Sequence, residues 1–201
     1  MLKELFETSF YYTYPPKEGV TINLREQEFI GDGCLVDEIA CQGCVDKCNA
    51  NPLAREQFRF YSDKQTYVLS INEVLSFLDT DLGENCDYII DNGKKICLIE
   101  MTCTSRDYVT SKREKCRSQF WNTITILRNS YDIREHIEKE EKFVIFSWRE
   151  TFMEYDPLDP IEVSIKTMTS MSDEVYSPDN ESNFDNSFKY KEIRYPHKCI
   201  I

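Results

Sequence analysis

The chain has 201 residues, 41% of them hydrophobic and 13% aromatic, enough to fill one core and tight for two, so a single domain over 1–201 is expected. Its 36 acidic against 24 basic side chains give a formal net charge of −12, which excludes a whole-surface nucleic-acid binder and leaves a local basic site or a protein partner that meets the acidic surface. Met1-Leu2-Lys3-Glu4-Leu5 lacks the apolar core of a signal peptide and no run reaches the length of a membrane span, so a cytoplasmic protein is expected, its nine cysteines serving as thiols or metal ligands rather than as a disulfide framework.

Thr8 to Tyr14 and Thr21 to Ile30 have strand-like composition, punctuated by Pro15-Pro16 and Gly19, and predict an N-terminal pair of strands. Cys34, Cys41, Cys44 and Cys48 follow within DGCLVDEIACQGCVDKC. The Cys41-x-x-Cys44 spacing lets two thiolates reach one tetrahedral zinc, and Cys34 and Cys48 complete a four-sulfur set. Structural zinc leads here over an iron–sulfur cluster, with reduced thiols as the other reading, and 34–48 is then a small Cys-rich zinc-binding insertion. Glu56 to Leu69 predicts two strands about Ser62-Asp63-Lys64-Gln65. Ser70-x-x-Glu73 is a capping box opening a short helix whose apolar face is Ile71, Val74, Leu75 and Leu78.

Chemistry concentrates in 86–127. Asn92-Gly93 between two apolar runs predicts a hairpin with a two-residue type I′ turn, which sets Asp91 opposite Lys94 and Asp87 opposite Leu98. Alternation then places Asp87 and Ile89 on one face with Ile96, Leu98, Glu100 and Thr102. Asp87 and Glu100 become diagonal neighbours roughly 7–8 Å apart, a spacing two carboxylates can close around one hard cation. Glu100 interrupts the apolar run ICLIEM, where an ionised group needs a partner or a metal. A helix is expected from Tyr108 to Leu127, with Val109, Cys116, Phe120, Thr123, Ile124 and Leu127 on one stripe and Lys112 and Gln119 at its border. From Arg106 to Arg117 five basic residues (Arg106, Lys112, Arg113, Lys115, Arg117) stand against two acidic ones, a local site for nucleic acid in an acidic chain.

Ile133 to Lys142 is highly charged and ends that helix or starts a further turn, and FVIFSW from Phe143 to Trp148 predicts a buried central strand. Ile161, Val163 and Ile165 alternate as a half-exposed strand. The acidic, Ser/Asn-rich stretch 170–187 is expected to be a mobile loop, and FKYKEIRYPHKCII resumes strand character. His136 and His197 stand without the Ser or Cys context of a nucleophilic triad, and no glycine-rich phosphate loop occurs.

Asp87, then Glu100-Met101-Thr102 on the next strand, then a helix with Cys116-x-x-Gln119-Phe120-x-x-Thr123, resembles the core of the PD-(D/E)xK nuclease superfamily. The resemblance covers about a fifth of the chain. It implies an α/β fold with a restriction-endonuclease-like mixed β-sheet flanked by helices, and magnesium or manganese held by Asp87 and Glu100. Gln119 would assist, and Glu73 or Glu56 would be the family's additional acid ahead of the hairpin, Glu73 against its simpler role as cap partner. The family's lysine, two residues after the Glu, is replaced by Thr102, which carries no charge. Lys112 or Lys115 on the following helix would stand in for it. The function implied is a metal-dependent DNA endonuclease or nuclease-like subunit of a prokaryotic defence or DNA-processing system. The alternative is a catalytically inactive relative acting as a zinc-stabilised protein-binding subunit or inhibitor.

Overall fold

In the computed structural model, which describes residues 2–36, 56–104, 106–150, 182–195 and 197–201, the described strands form one eight-stranded mixed sheet. They are β1 (Glu26–Val36), β2 (Glu56–Ser70), β3 (Tyr88–Asp91), β4 (Lys95–Thr104), β5 (Glu141–Glu150), β6 (Ser182–Asn183), β7 (Phe188–Arg194) and β8 (Lys198–Ile200). The order across the sheet is β1-β2-β3-β4-β5-β7-β6, with β8 beside the first half of β2. Successive strands from β1 to β4 run antiparallel to one another, β8 runs parallel to β2, and β4, β5 and β7 are mutually parallel. That change of direction requires a crossover after β4, and α4 (Val109–Asn129) and α5 (Tyr131–Glu138) supply it.

Strand alternation divides the interior into two cores. Ile96 and Leu98 of β4 and Val144 and Phe146 of β5 meet the helices, which bury Phe120 and Ile124 of α4, and Ile133 and Ile137 of α5, against them. The intervening residues Cys97, Ile99, Phe143 and Ile145 face a second core, closed by Leu35, Phe58, Phe60, Cys199 and Ile201. Those closing residues come from β1, β2, β8 and the chain end, so the long β2 curls over the sheet and touches β4 and β5. As expected, FVIFSW is a central strand buried on both faces.

The N-terminal segment is a correction. Instead of a strand over 8–14, the chain is helical as α1 (Leu2–Leu5), a π-helical turn over Phe6–Phe10 and α2 (Tyr11–Thr13). Aromatic composition favours strand there, but Leu2, Phe6 and Phe10 recur every four residues and all three are buried, so the spacing prevails. The strand expected over 21–30 begins at Glu26 and runs on to Val36. Glu56 to Leu69 is one strand, not two, because Ser62 to Gln65 is taken up by a bulge where Phe29 pairs with Thr66 and Gly31 with Ser62. The capped helix is as expected, α3 (Ile71–Ser76), with the Ser70 hydroxyl accepting from the Glu73 N–H at 3.3 Å.

The hairpin turn is longer than two residues. Asp91 pairs with Ile96 and Tyr88 with Ile99, leaving four residues, Asn92 to Lys95, between the two residues of the last ladder pair. The Asn92 N–H donates to Lys95 O at 3.2 Å, and Lys95 already belongs to β4, where it pairs with Glu141 of β5. Asn92 drives this lengthening, since its side-chain oxygen accepts from the N–H groups of both Lys94 and Lys95, at 3.1 and 2.9 Å, while Gly93 takes the positive φ of 74°. The register moves by two residues, an even number, so every side chain keeps its face. At the far edge, Ser182 to Ser187 is β6 and a tight turn, with Asp185 accepting from the N–H groups of Ser187 and Phe188. The strand expected over 161–165, the remainder of the expected loop over 170–187, and Cys41, Cys44 and Cys48 lie outside the described residues.

Candidate functional site

Asp87 stands one residue before β3. Its N–H donates to Ile99 O at 2.9 Å, and its carbonyl accepts from the Ile71 N–H that opens α3, also at 2.9 Å. The β3–β4 pairing ends at Tyr88 with Ile99, and Asp87, the next residue, stands close enough to Glu100 for its charge to act on that carboxyl. The Asp87 carboxylate is fixed by its sheet neighbour, Oδ2 accepting from Met101 N–H at 2.7 Å.

Glu100 is 9% exposed, and its Oε2 is buried with no hydrogen-bond partner among the described residues. Burial first, and then the Asp87 charge, push its carboxyl up to about 9, against donation from Gln119 and the charge of Lys115, which pull it down. At neutral pH Glu100 therefore holds a proton. Cys86 and Cys116 are buried nearby, and desolvation raises both thiols, so neither offers a thiolate and the donors at this point are oxygens.

The polar edge of α4 holds the segment leading into Asp87. Gln119 Nε2 donates to Asn85 O at 3.0 Å, and the Thr123 hydroxyl accepts from Cys86 N–H at 3.0 Å. Asn122 Nδ2 reaches Leu82 O, Glu84 O and Asn85 Oδ1 at 2.7, 3.0 and 3.2 Å. Gln119 and Thr123 thus act on the approach to Asp87 as well as on the helix–sheet contact. Asn122 escapes sequence reasoning because an asparagine inside a helix signals only weak propensity.

The basic residues of 106–117 are mostly engaged within the fold. Arg113 grips Glu192 through two bonds of 2.6 and 2.8 Å, and Glu192 also accepts from Trp148 Nε1 at 3.1 Å. Arg117 lies over the rings of Phe184 and Tyr190 at 5.2 and 5.6 Å. Lys115 pairs with Glu84 at 2.9 Å and stands one helical turn before Gln119, on the same edge as Glu100. Lys112 is exposed. Arg106 opens the 3-10 turn Arg106–Tyr108 after β4. Glu73 takes part in the cap through its backbone N–H, which donates to the Ser70 hydroxyl, while its carboxylate is directed to Arg25 and accepts from the Arg25 N–H at 3.2 Å.

The residues gathered here are Asp87, Glu100, Gln119 and Lys115. Two adjacent carboxylates with one oxygen lacking a partner fit a hard divalent ion, which takes one or two protein carboxylates and fills its remaining positions with water and phosphate oxygens. Among the described residues no group of three or more His, Cys, Asp or Glu side chains converges on a metal position. Cys34, the described member of the expected zinc set, lies in β1 with its Sγ 3.7 Å from Leu35 O. At the other end of β3, His136 Nε2 and Asp91 Oδ2 meet at 2.8 Å beside a cavity of about 450 Å³ lined by Leu2, Leu5 and Tyr67. The hydrogen bond to Asp91 raises the His136 pKa. Comparison of the chain with protein-family models, with curated proteins and with solved structures gives no match.

Proposed function

We propose that the chain is a metal-dependent nuclease with a restriction-endonuclease-like core, cleaving phosphodiester bonds in DNA at Asp87 and Glu100 in a prokaryotic defence or DNA-processing setting. The observation that carries this reading is the buried Glu100 Oε2 without a partner, directly beside a second carboxylate. An antiparallel β2-β3-β4 meander followed by a helical crossover to the parallel β5 supports it, because the resemblance implies that order.

Asp87 and Glu100 would hold magnesium or manganese, which when bound supplies charge stabilisation to the phosphoryl oxygens and an activated water. Glu100 would hold the ion in its ionised form, and so would have to release the proton that its raised pKa retains at neutral pH. Gln119, whose amide holds Asn85 O, lies near enough to Glu100 to favour its ionised form and would assist there. Lys115 takes the place of the lysine that Thr102 lacks, since its charge acts on Glu100 and its pairing with the exposed Glu84 is easily exchanged for a substrate phosphate.

The purified chain, assayed on plasmid and on single-stranded DNA with magnesium or manganese, should cleave. Asp87→Ala and Glu100→Gln should each lower the rate at least about 100-fold, the scale of losing a metal ligand or its electrostatic stabilisation. Lys115→Ala should cost about 10-fold or more and Lys112→Ala little.

One observation favours a second reading. Arg113 and Arg117, two of the five cations expected to contact nucleic acid, are bound to internal partners, and Thr102 is neutral. A catalytically inactive relative that uses its acidic surface to bind a protein accounts for both. Absence of cleavage by the wild type with either ion would establish it over the first.

A further inference from the structure

We propose that the cavity between α1, α5 and the neighbouring strands β2 and β3 binds a small carboxylic acid with an apolar body, its carboxylate seated on His136 and Tyr67. The inference stands apart from the nuclease reading, because Asp87 lies beyond the opposite end of β3, about 13 Å from Asp91 along the strand.

Tyr67 and Asp91 are paired across β2 and β3, so their side chains leave the sheet on one face. It is the face of the helices, since Leu69 and Ile89, two residues along each strand, belong to the core that the helices cover. Helices α1 and α5 leave a cavity of about 450 Å³ over that pair, with a mostly apolar wall that includes Leu2, Leu5 and the Tyr67 ring. Small-molecule sites have volumes of roughly 300–1,000 Å³ and the same composition, an apolar wall with a few polar groups. His136 joins the lining from the last turn of α5, where the helix C-terminus favours a cation.

The polar groups decide what the cavity takes. Asp91 is 5% exposed and both its oxygens are occupied, Oδ1 by the Gly93 N–H at 2.7 Å and Oδ2 by His136 Nε2 at 2.8 Å. It therefore fixes the ring, with Nε2 as donor, and has nothing left for a ligand. Among the described residues neither the second ring nitrogen, Nδ1, nor the Tyr67 hydroxyl has a hydrogen-bond partner. The bond to Asp91 raises the His136 pKa and so favours the imidazolium, in which Nδ1 also carries a proton. Two donors, one of them charged, accompany an apolar wall. A carboxylate accepts from both, and its bond to the imidazolium is of the stronger, charge-assisted kind. An amide forgoes that charge, and an ammonium group opposes it. Glu4 is exposed at the rim, where solvent screens its charge.

The probe is 4-phenylbutyrate, titrated into the full chain by calorimetry and by NMR of the histidine rings, of which there are two. The wild type should bind it at least 10-fold more tightly than 4-phenylbutanamide or 4-phenylbutylamine. Ring signals of His136 should move on binding and those of His197 should not. Asp91, Glu140 and Lys139 act on the His136 ring, and Glu4 and Tyr67 share its cavity, so its pKa is read from the ring signal itself. Saturation should raise that pKa, and affinity should fall as pH climbs above its value in the empty protein, approaching 10-fold per unit. His136→Gln keeps an N–H for Asp91 but loses the charge, and should weaken binding about 10-fold or more. Tyr67→Phe removes only a hydroxyl and should weaken it about 3-fold. Leu5→Trp fills the cavity and should abolish binding in a chain that still melts cooperatively. The comparison of acid, amide and amine uses the wild type alone, so it holds whatever the variants do to folding. Equal binding of acid and amide, preference for the amine, no binding at millimolar 4-phenylbutyrate, or a His136 signal unmoved at saturation would each overturn the proposal.

Discussion

Glu100 carries its charge at the cost of folding. Its carboxyl sits among apolar side chains beside Asp87, so the folded state favours the protonated form and the pKa rises from the ordinary 4.5 to about 9. A raised carboxyl pKa means that the unfolded chain releases the proton first. Stability is therefore complete below about 4.5 and falls as pH climbs through the range up to about 9. Glutamine has the same shape and cannot ionise. In EDTA, Glu100→Gln should melt with the wild type at pH 4 and about 5 °C or more above it at pH 8, given that 1 kcal/mol moves Tm by roughly 2–4 °C in a chain of this size. Thermal melts across pH check this, and a variant less stable than wild type at pH 8 contradicts it. A residue that weakens the empty protein is retained for something other than stability, which is the physical content of reading Glu100 as functional.

Elements are governed by register and by close approach, as Gly33 in β1 illustrates. A Cβ there would stand 2.2 Å from the tip of the Phe60 ring, and Phe60 is fully buried in the second core among Leu35, Phe58 and Phe29. The ring has no free space to move into, so Gly33→Ala should destabilise by about 1–3 kcal/mol, measurable by urea unfolding. The same contact shows why part of the fold is legible in the sequence and part is not. Face assignment in the β3–β4 hairpin depends only on parity, so Asp87 and Glu100 fall on one face whether the loop has two residues or four. Their spacing along the strands depends on how Asn92 folds the turn, through the two N–H groups its side chain accepts from. The α4 stripe and the β5 run are equally plain, because 21 residues of helical spacing and the mostly apolar stretch FVIFSW leave no competing pattern. By contrast, Leu2, Phe6 and Phe10 carry a helical spacing too short to outweigh their aromatic composition, and the curl of β2 over the sheet arises from a bulge between strands distant in sequence. The stacking of Arg59 and Arg149 on Tyr195 is invisible for a related reason: the three come from separate segments and meet only through the sheet.

At the scale of the whole molecule, charge and topology act on the same site. The carboxylate pair lies where the sheet changes from antiparallel to parallel, toward the carboxyl end of β4, the kind of position at which open α/β sheets form ligand crevices. A formal net charge of −12 concentrates divalent ions around the entire protein, so loss of magnesium from the site has to be separated from loss of general screening. Thermal stability can make that separation. Binding to the folded state alone contributes RT ln(1 + [L]/Kd), so 10 mM magnesium acting on a site with Kd on the order of 1 mM adds about 1.4 kcal/mol, or roughly 3–5 °C in Tm. Sodium chloride at matched ionic strength reproduces the screening part, and the excess belongs to the site. That excess should vanish in Asp87→Ala and in Glu100→Gln. It should also be larger at pH 8 than at pH 6, because Glu100 must release its proton for the ion to bind and the lower pH makes that release costlier. An excess that persists in both variants, or that ignores pH, would place the ion elsewhere on the acidic surface. A pH-dependent excess lost with either carboxylate ties the buried oxygen of Glu100 to the cation that offsets its cost.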